Sequence, residues 1–176
     1  KNRLLPLTVK ESPYGWRYAI PSYWLEDWNE LDLPTMFSPT GLIEISHHTR
    51  SHERPMDPSR ATDDLISRLS SDSTTFELID RTRTVQEELE GEMFRINRTW
   101  RGQQETIIAS ILVRGLFEYQ TLIRIREGEY ENYDHLVSQL LDSVEITEPH
   151  RLHRAREARE ASPEAWTTGL ELARAL

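Results

Sequence analysis

The sequence contains no cysteine. Disulfide frameworks, thiolate metal sites and cysteine nucleophiles are excluded with it. The redox compartment stays open, because a chain without thiols is at home on either side of a membrane. Lysine is scarce too: Lys1 and Lys10 are the only two, so 19 of the 21 basic residues are arginine. That bias reads as the mark of a GC-rich genome rather than of chemistry. Seven glycines leave little material for a phosphate cradle, and no Gly-x-Ser-x-Gly, P-loop or Gly-x-Gly-x-x-Gly pattern occurs. No apolar run approaches the roughly 20 residues of a spanning helix, and no signal-peptide pattern is present. The sequence opens on Lys1, which leaves open a leader or anchor removed upstream. Positive charge is in deficit: the net charge is -9. A nucleic-acid surface needs a basic field that is missing here, and anionic lipid is disfavoured for the same reason.

What remains is a chain of 176 residues, 37% hydrophobic and 29% charged, which predicts one globular domain with a substantial core. Its most concentrated feature is "YGWRYAIPSYW", with Tyr14, Trp16, Tyr18, Tyr23 and Trp24 in eleven positions. The opening reads as strand, turn, strand. Trp16, Tyr18 and Ile20 share one face of the second strand, Arg17 and Ala19 the other, and Pro21 stops it. An aromatic strand of this kind covers the edge of a core. "FSPTGLIEIS" predicts a hairpin turning at Ser38–Gly41. Its second strand puts Ile43, Ile45 and His47 on one face and Leu42, Glu44, Ser46 and His48 on the other. Asp57 followed by Pro58 predicts a helix start, with Ala61, Leu65 and Leu69 as the apolar stripe.

A meander follows. In "TFELIDRTRTVQ" Phe76 and Leu78 fall on one side and Ile79 on the other. "EMFRINRTW" aligns Phe94, Ile96 and Trp100. Arg101-Gly102 and Arg114-Gly115 predict tight turns. Between them, "ETIIASILV" is apolar on both faces, as a covered central strand is. "LFEYQTLIRI" returns with Phe117, Tyr119, Ile123 and Ile125 together. A helix over 130–144 carries Tyr130, Tyr133, Val137, Leu140, Leu141 and Val144 at spacings of three and four. The segment from His150 is charged and alanine-rich. Ser162-Pro163-Glu164 opens a last helix aligning Trp166, Leu170 and Ala173. The expected organisation is one domain over 1–147 and a helical extension over 148–176.

The order of these elements resembles the PsbP-like superfamily, which includes photosystem II extrinsic proteins, Ran-binding import factors and assorted bacterial proteins. The likeness rests on the Pro-x-x-Trp entry Ile20-Pro21-Ser22-Tyr23-Trp24 and on the closing "LLDSV", and it covers residues 14 to 147. It implies an α+β fold, an antiparallel β-sheet flanked by helices on both faces, here with an extra C-terminal helical tail. It implies protein binding rather than catalysis, and gives a class of role only.

Catalytic and metal chemistry finds little support in the residues. His47, His48 and His52 with Glu44 and Glu53 suggest a metal site, but His47 and His48 point to opposite strand faces, and Glu44 and His48 lie about 13 Å apart on a strand. A solvated strand end is the better reading. His150 and His153, i,i+3 on a helix, form a weaker pair. Asp63-Asp64, Glu87-Glu88 and Glu129-Glu131 sit in charge-rich stretches, whereas acid-base catalysis needs a desolvated pair. Arg95, Arg98 and Arg101 lie in one hairpin, where cross-strand ion pairing is the ordinary role and a carboxylate-bearing partner the alternative.

The expectation is therefore a non-catalytic protein-binding domain without metal or cofactor. It contacts a protein partner, not nucleic acid, near "WLEDWNELDLP", where Trp28, Leu31 and Leu33 either stand exposed or lid the core. The resemblance favours a site outside the cytoplasm. The alternative is a cytoplasmic adaptor or chaperone that shields a client segment. The last helix, with Trp166 and Leu170, packs on the domain or forms a homodimer.

Overall fold

The computed structural model describes residues 6–12, 15–27, 34–86, 89–126 and 130–147, the side chains of 130–132 excepted. The expected extension over 148–176 lies outside the described residues. Ten strands and two helices follow one another among them: β1 (Leu7–Ser12), β2 (Trp16–Pro21), β3 (Leu25–Asp27), β4 (Thr35–Phe37), β5 (Ile43–Ser51), α1 (Pro58–Ser71), β6 (Thr75–Gln86), β7 (Leu89–Trp100), β8 (Gln103–Arg114), β9 (Phe117–Arg126), α2 (Tyr130–Asp142) and β10 (Glu145–Ile146). Seven strands form an antiparallel sheet in the order β3-β4-β5-β9-β8-β7-β6, and three form a smaller one in the order β1-β2-β10. The fold is α+β with helices on both faces of the large sheet, as expected.

Strand β8 shows why the layers stack this way. Its alternating side chains are apolar in both directions, so each face must be covered. Ile107, Ala109 and Ile111 pack beneath Ala61, Leu65 and Leu69 of α1. Ile108 and Leu112 point the other way, into a core shared with Trp16, Tyr18 and Ile20 of β2 and with Val137 and Leu140 of α2. The two turns that bracket β8 are as short as the sequence predicts. Arg101 and Gly102 both adopt positive φ, 50° and 77°, the backbone hand that matches strand twist in a two-residue hairpin. The start of α1 is also as expected: the Asp57 carboxylate accepts a hydrogen bond from the Ser59 backbone N–H at 2.7 Å, and Pro58 opens the helix.

The aromatic entry strand covers the core with Trp16, Tyr18 and Ile20, as expected, while two other details depart from the sequence expectation. Both hydrogen-bonding edges of β2 are occupied, by β1 and by β10, so it reaches the large sheet through side chains alone. Helix α2 ends two residues early, at Asp142. Ser143 Oγ then donates to the Leu140 carbonyl at 2.7 Å and accepts the Ala19 N–H at 3.0 Å, which drops Val144 into the core and frees Glu145–Ile146 to pair with β2. Finally, a bulge at Ile79 interrupts β6: Leu78 faces Ile96, but Asp80 already faces Arg95. The alternation read from the sequence resets there, which places Arg81 opposite Phe94 on the α1 side.

Candidate partner-binding surface

Trp28, Leu31 and Leu33 lie outside the described residues. The segments that flank them do not. Trp24 is buried at 7% exposure, while Tyr23 and Leu25 on either side of it are 48% and 61% exposed. A turn produces this: the Trp24 N–H donates to the Pro21 carbonyl at 3.0 Å, and the indole enters the core while its two neighbours stand outward. Next to them runs β1, with Leu7 and Val9 exposed at 41% and 54%. The two stretches are tied by Thr8 Oγ1 and Ser22 Oγ at 2.7 Å, by Ser22 N donating to the Pro6 carbonyl at 2.9 Å, and by a Lys10–Glu26 ion pair at 2.5 Å. β3 ends the large sheet and β1 ends the small one. Two end strands thus lie side by side next to the exposed Tyr23 and Leu25, a combination that marks contact surfaces.

The histidines do not converge, and the reading of a solvated strand end fails for His47. Its ring is 3% exposed and lies between Trp16 and Tyr18, with centroids 4.7 and 4.3 Å away. Nδ1 meets Thr121 Oγ1 at 3.0 Å. The strand runs on to Ser51, so His47 sits in mid-strand, under the aromatic face of β2. His48 points to the opposite face, with Nε2 3.1 Å from Ser46 Oγ. His52 pairs with the buried Glu118 at 2.7 Å. Among the described residues no three His, Asp or Glu side chains form a metal-binding group. Of the acidic pairs, Asp63 and Asp64 are exposed on α1, with Asp63 bound to Arg81 at 2.6 Å; Glu87-Glu88 lies outside the described residues, and nothing is described of the Glu129 and Glu131 side chains.

Burial lowers the His47 pKa to about 3, with His48 adding to the shift. The unfolded state therefore takes up a proton near pH 6.5 that the folded state refuses. Stability from this residue is full above that pH and is lost as the pH falls toward 3. Between pH 7.5 and 5 the loss is about 2 kcal/mol. Urea unfolding across this range should show it, and His47→Gln should flatten that part of the profile.

The three hairpin arginines divide. Arg95 pairs across the strands with Asp80 at 3.1 Å, and Arg98 with Glu105 at 2.6 Å, the ordinary role expected of them. Arg101 has no carboxylate within 4 Å among the described residues, and its guanidinium lies instead over the Trp100 ring at 4.5 Å.

No family model matches this chain, and no curated protein matches it in sequence. Solved structures do match in shape. The solution structure of cyanobacterial PsbP (CyanoP) from Synechocystis sp. PCC 6803 aligns with a TM-score of 0.66 over 82% of this chain and 95% of its own, at 9% identity. The Saccharomyces cerevisiae Ran-binding protein Mog1p aligns with a TM-score of 0.55 over 80% and 96%, at 10% identity. The chain has the PsbP/Mog1-like fold. LpqN, involved in cell envelope biogenesis of Mycobacterium tuberculosis, aligns at 0.53 over 84% and 87%, with 12% identity. In this PsbP/Mog1-like chain the two motifs that carried the resemblance are structural. Trp24 of the Pro-x-x-Trp entry is buried in the core. The "LLDSV" stretch is where α2 stops and locks onto β2.

Proposed function

We propose that this chain is a non-catalytic domain that binds a protein partner at the corner formed by β1 and the 22–27 segment. The observation that carries the reading is the exposure of Tyr23 and Leu25 on both sides of the buried Trp24. In this reading Trp28, Leu31 and Leu33 extend the same surface, and 148–176 is an extension separate from the binding domain. The likeness to a protein named for binding Ran supports a protein as partner.

Tyr23→Asp and Leu25→Asp test it. The tagged full chain should capture a partner from its own cells, and the partner, once identified by mass spectrometry, should rebind in purified form. Each substitution should raise its Kd about 30-fold, the ~2 kcal/mol of an apolar hot spot, with stability within about 0.5 kcal/mol of the parent. A partner that rebinds both variants with undiminished affinity refutes the reading.

A further inference from the structure

On one face of the large sheet α1 packs on β7 and β8. On that side, at the Arg101-Gly102 end of the strands, arginines gather around one indole. Arg98, Arg101 and Arg124 place their guanidinium carbons 5.6, 4.5 and 5.6 Å from the Trp100 ring centroid. The register explains the meeting. Arg98 faces Glu105 across β7 and β8, and Glu105 faces Arg126 across β8 and β9, so Arg124, two residues before it, projects from the same face. Arg68, in the last turn of α1, adds its field: it and Arg124 both contribute, after burial, to lowering the pKa of His48.

Glu105 binds Arg98 at 2.6 Å, whereas Arg68, Arg101 and Arg124 have no carboxylate within 4 Å among the described residues, Glu44 standing opposite Arg124 across β5 and β9. In a chain with 30 acidic and 21 basic residues, a local surplus of positive charge around a half-buried indole is against the trend. Guanidinium groups over a ring keep their outward N–H donors available while their faces are occupied. Planar acceptors suit them best.

We infer that this arginine-framed indole docks an acidic peptide segment of a protein partner, with carboxylates against Arg101 and Arg124 and the peptide chain across Trp100. Overall charge argues for a peptide over nucleic acid: a polyanion would meet the field of a chain at -9, whereas a short acidic stretch meets mainly the local one. The cluster shares its sheet face with Leu25, which faces Phe37, which faces Glu44, which faces Arg124. That row of strands separates the two by about 15 Å, so each end can be tested alone.

The probe is a synthetic peptide of alternating glutamate and serine, free of apolar residues. It is titrated into the 15N-labelled full chain and read at the tryptophan indole N–H signals, with that of Trp100 assigned through Trp100→Phe. The Trp100 signal is expected to move. Kd should rise at least ten-fold in Arg124→Glu and in Arg101→Glu, the latter in an exposed turn where folding is not at stake. Arg114→Glu, at the opposite end of β8 with the same change of charge, should leave Kd unaltered. A Trp100 signal that does not move overturns the inference, as does equal weakening by Arg114→Glu. Tighter binding of a single-stranded oligonucleotide of matched charge overturns it in favour of nucleic acid. Conversion of a dimer to a monomer by Arg124→Glu would assign the surface to a second copy of the chain and overturn it as well.

Discussion

Glu105→Ala is expected to lower folding stability by about 3–5 kcal/mol, read as a shift of the urea midpoint. The side chains of Arg98 and Glu105 are 2% and 4% exposed, with Nε and Oε1 2.6 Å apart. Arg98 also donates through Nη1 to the Leu69 carbonyl at 3.1 Å, which ties the end of α1 to the sheet. Without Glu105 the guanidinium keeps one carbonyl and loses its counter-charge, and the desolvation already incurred has nothing to offset it. Arg98→Met with Glu105→Leu should recover most of the loss, because an apolar pair of similar volume has no charge to strand. A double-mutant cycle isolates the coupling. A loss under about 1 kcal/mol in Glu105→Ala, the range of solvent-exposed ion pairs, would show that the pair is not desolvated.

Gly91→Ala is the second large effect, through space and not through backbone freedom. A Cβ at position 91 would stand 2.0 Å from the Ile111 carbonyl oxygen and 2.8 Å from Leu112 Cδ2. Leu112 can change rotamer, but the carbonyl belongs to the neighbouring central strand and cannot retreat without parting β7 from β8. The expected cost is about 3 kcal/mol or more, at the upper end of overpacking. The same substitution at Gly41, where nothing lies within 4 Å and φ is +69°, should cost about 1 kcal/mol from backbone strain alone. Thermal or urea melts of the two proteins side by side separate the mechanisms. A mild Gly91→Ala would mean that the strands can separate locally at little cost.

Much of the fold was legible because its cues are local. The double-faced β8, the two-residue turns on either side of it and the Asp57-Pro58 helix start each depend on residues within a few positions. Counting outward from Arg101-Gly102 even gives the Arg98–Glu105 pairing. His47 was misread for the opposite reason: its surroundings come from Trp16 and Tyr18, about thirty residues earlier, on a strand from a different sheet. Arg124 meeting Trp100 likewise depends on the order β9-β8-β7, which no single stretch of chain encodes. Trp28, Leu31 and Leu33 lie outside the described residues, and the exposed apolar side chains that precede them are Tyr23 and Leu25.

The bulge at Ile79 bears on how this molecule avoids its own copies. β6 is twelve residues long and terminates the large sheet, with Leu78, Ile79 and Val85 exposed, a composition that invites edge-to-edge stacking into fibrils. The extra residue breaks the ladder between Leu78 and Asp80, and Arg81 and Arg83 follow directly. A neighbouring chain that began pairing at Thr75 would fall out of step within four residues. Colloidal solubility is thus protected by one inserted residue, and deleting Ile79 would restore an unbroken template for aggregation.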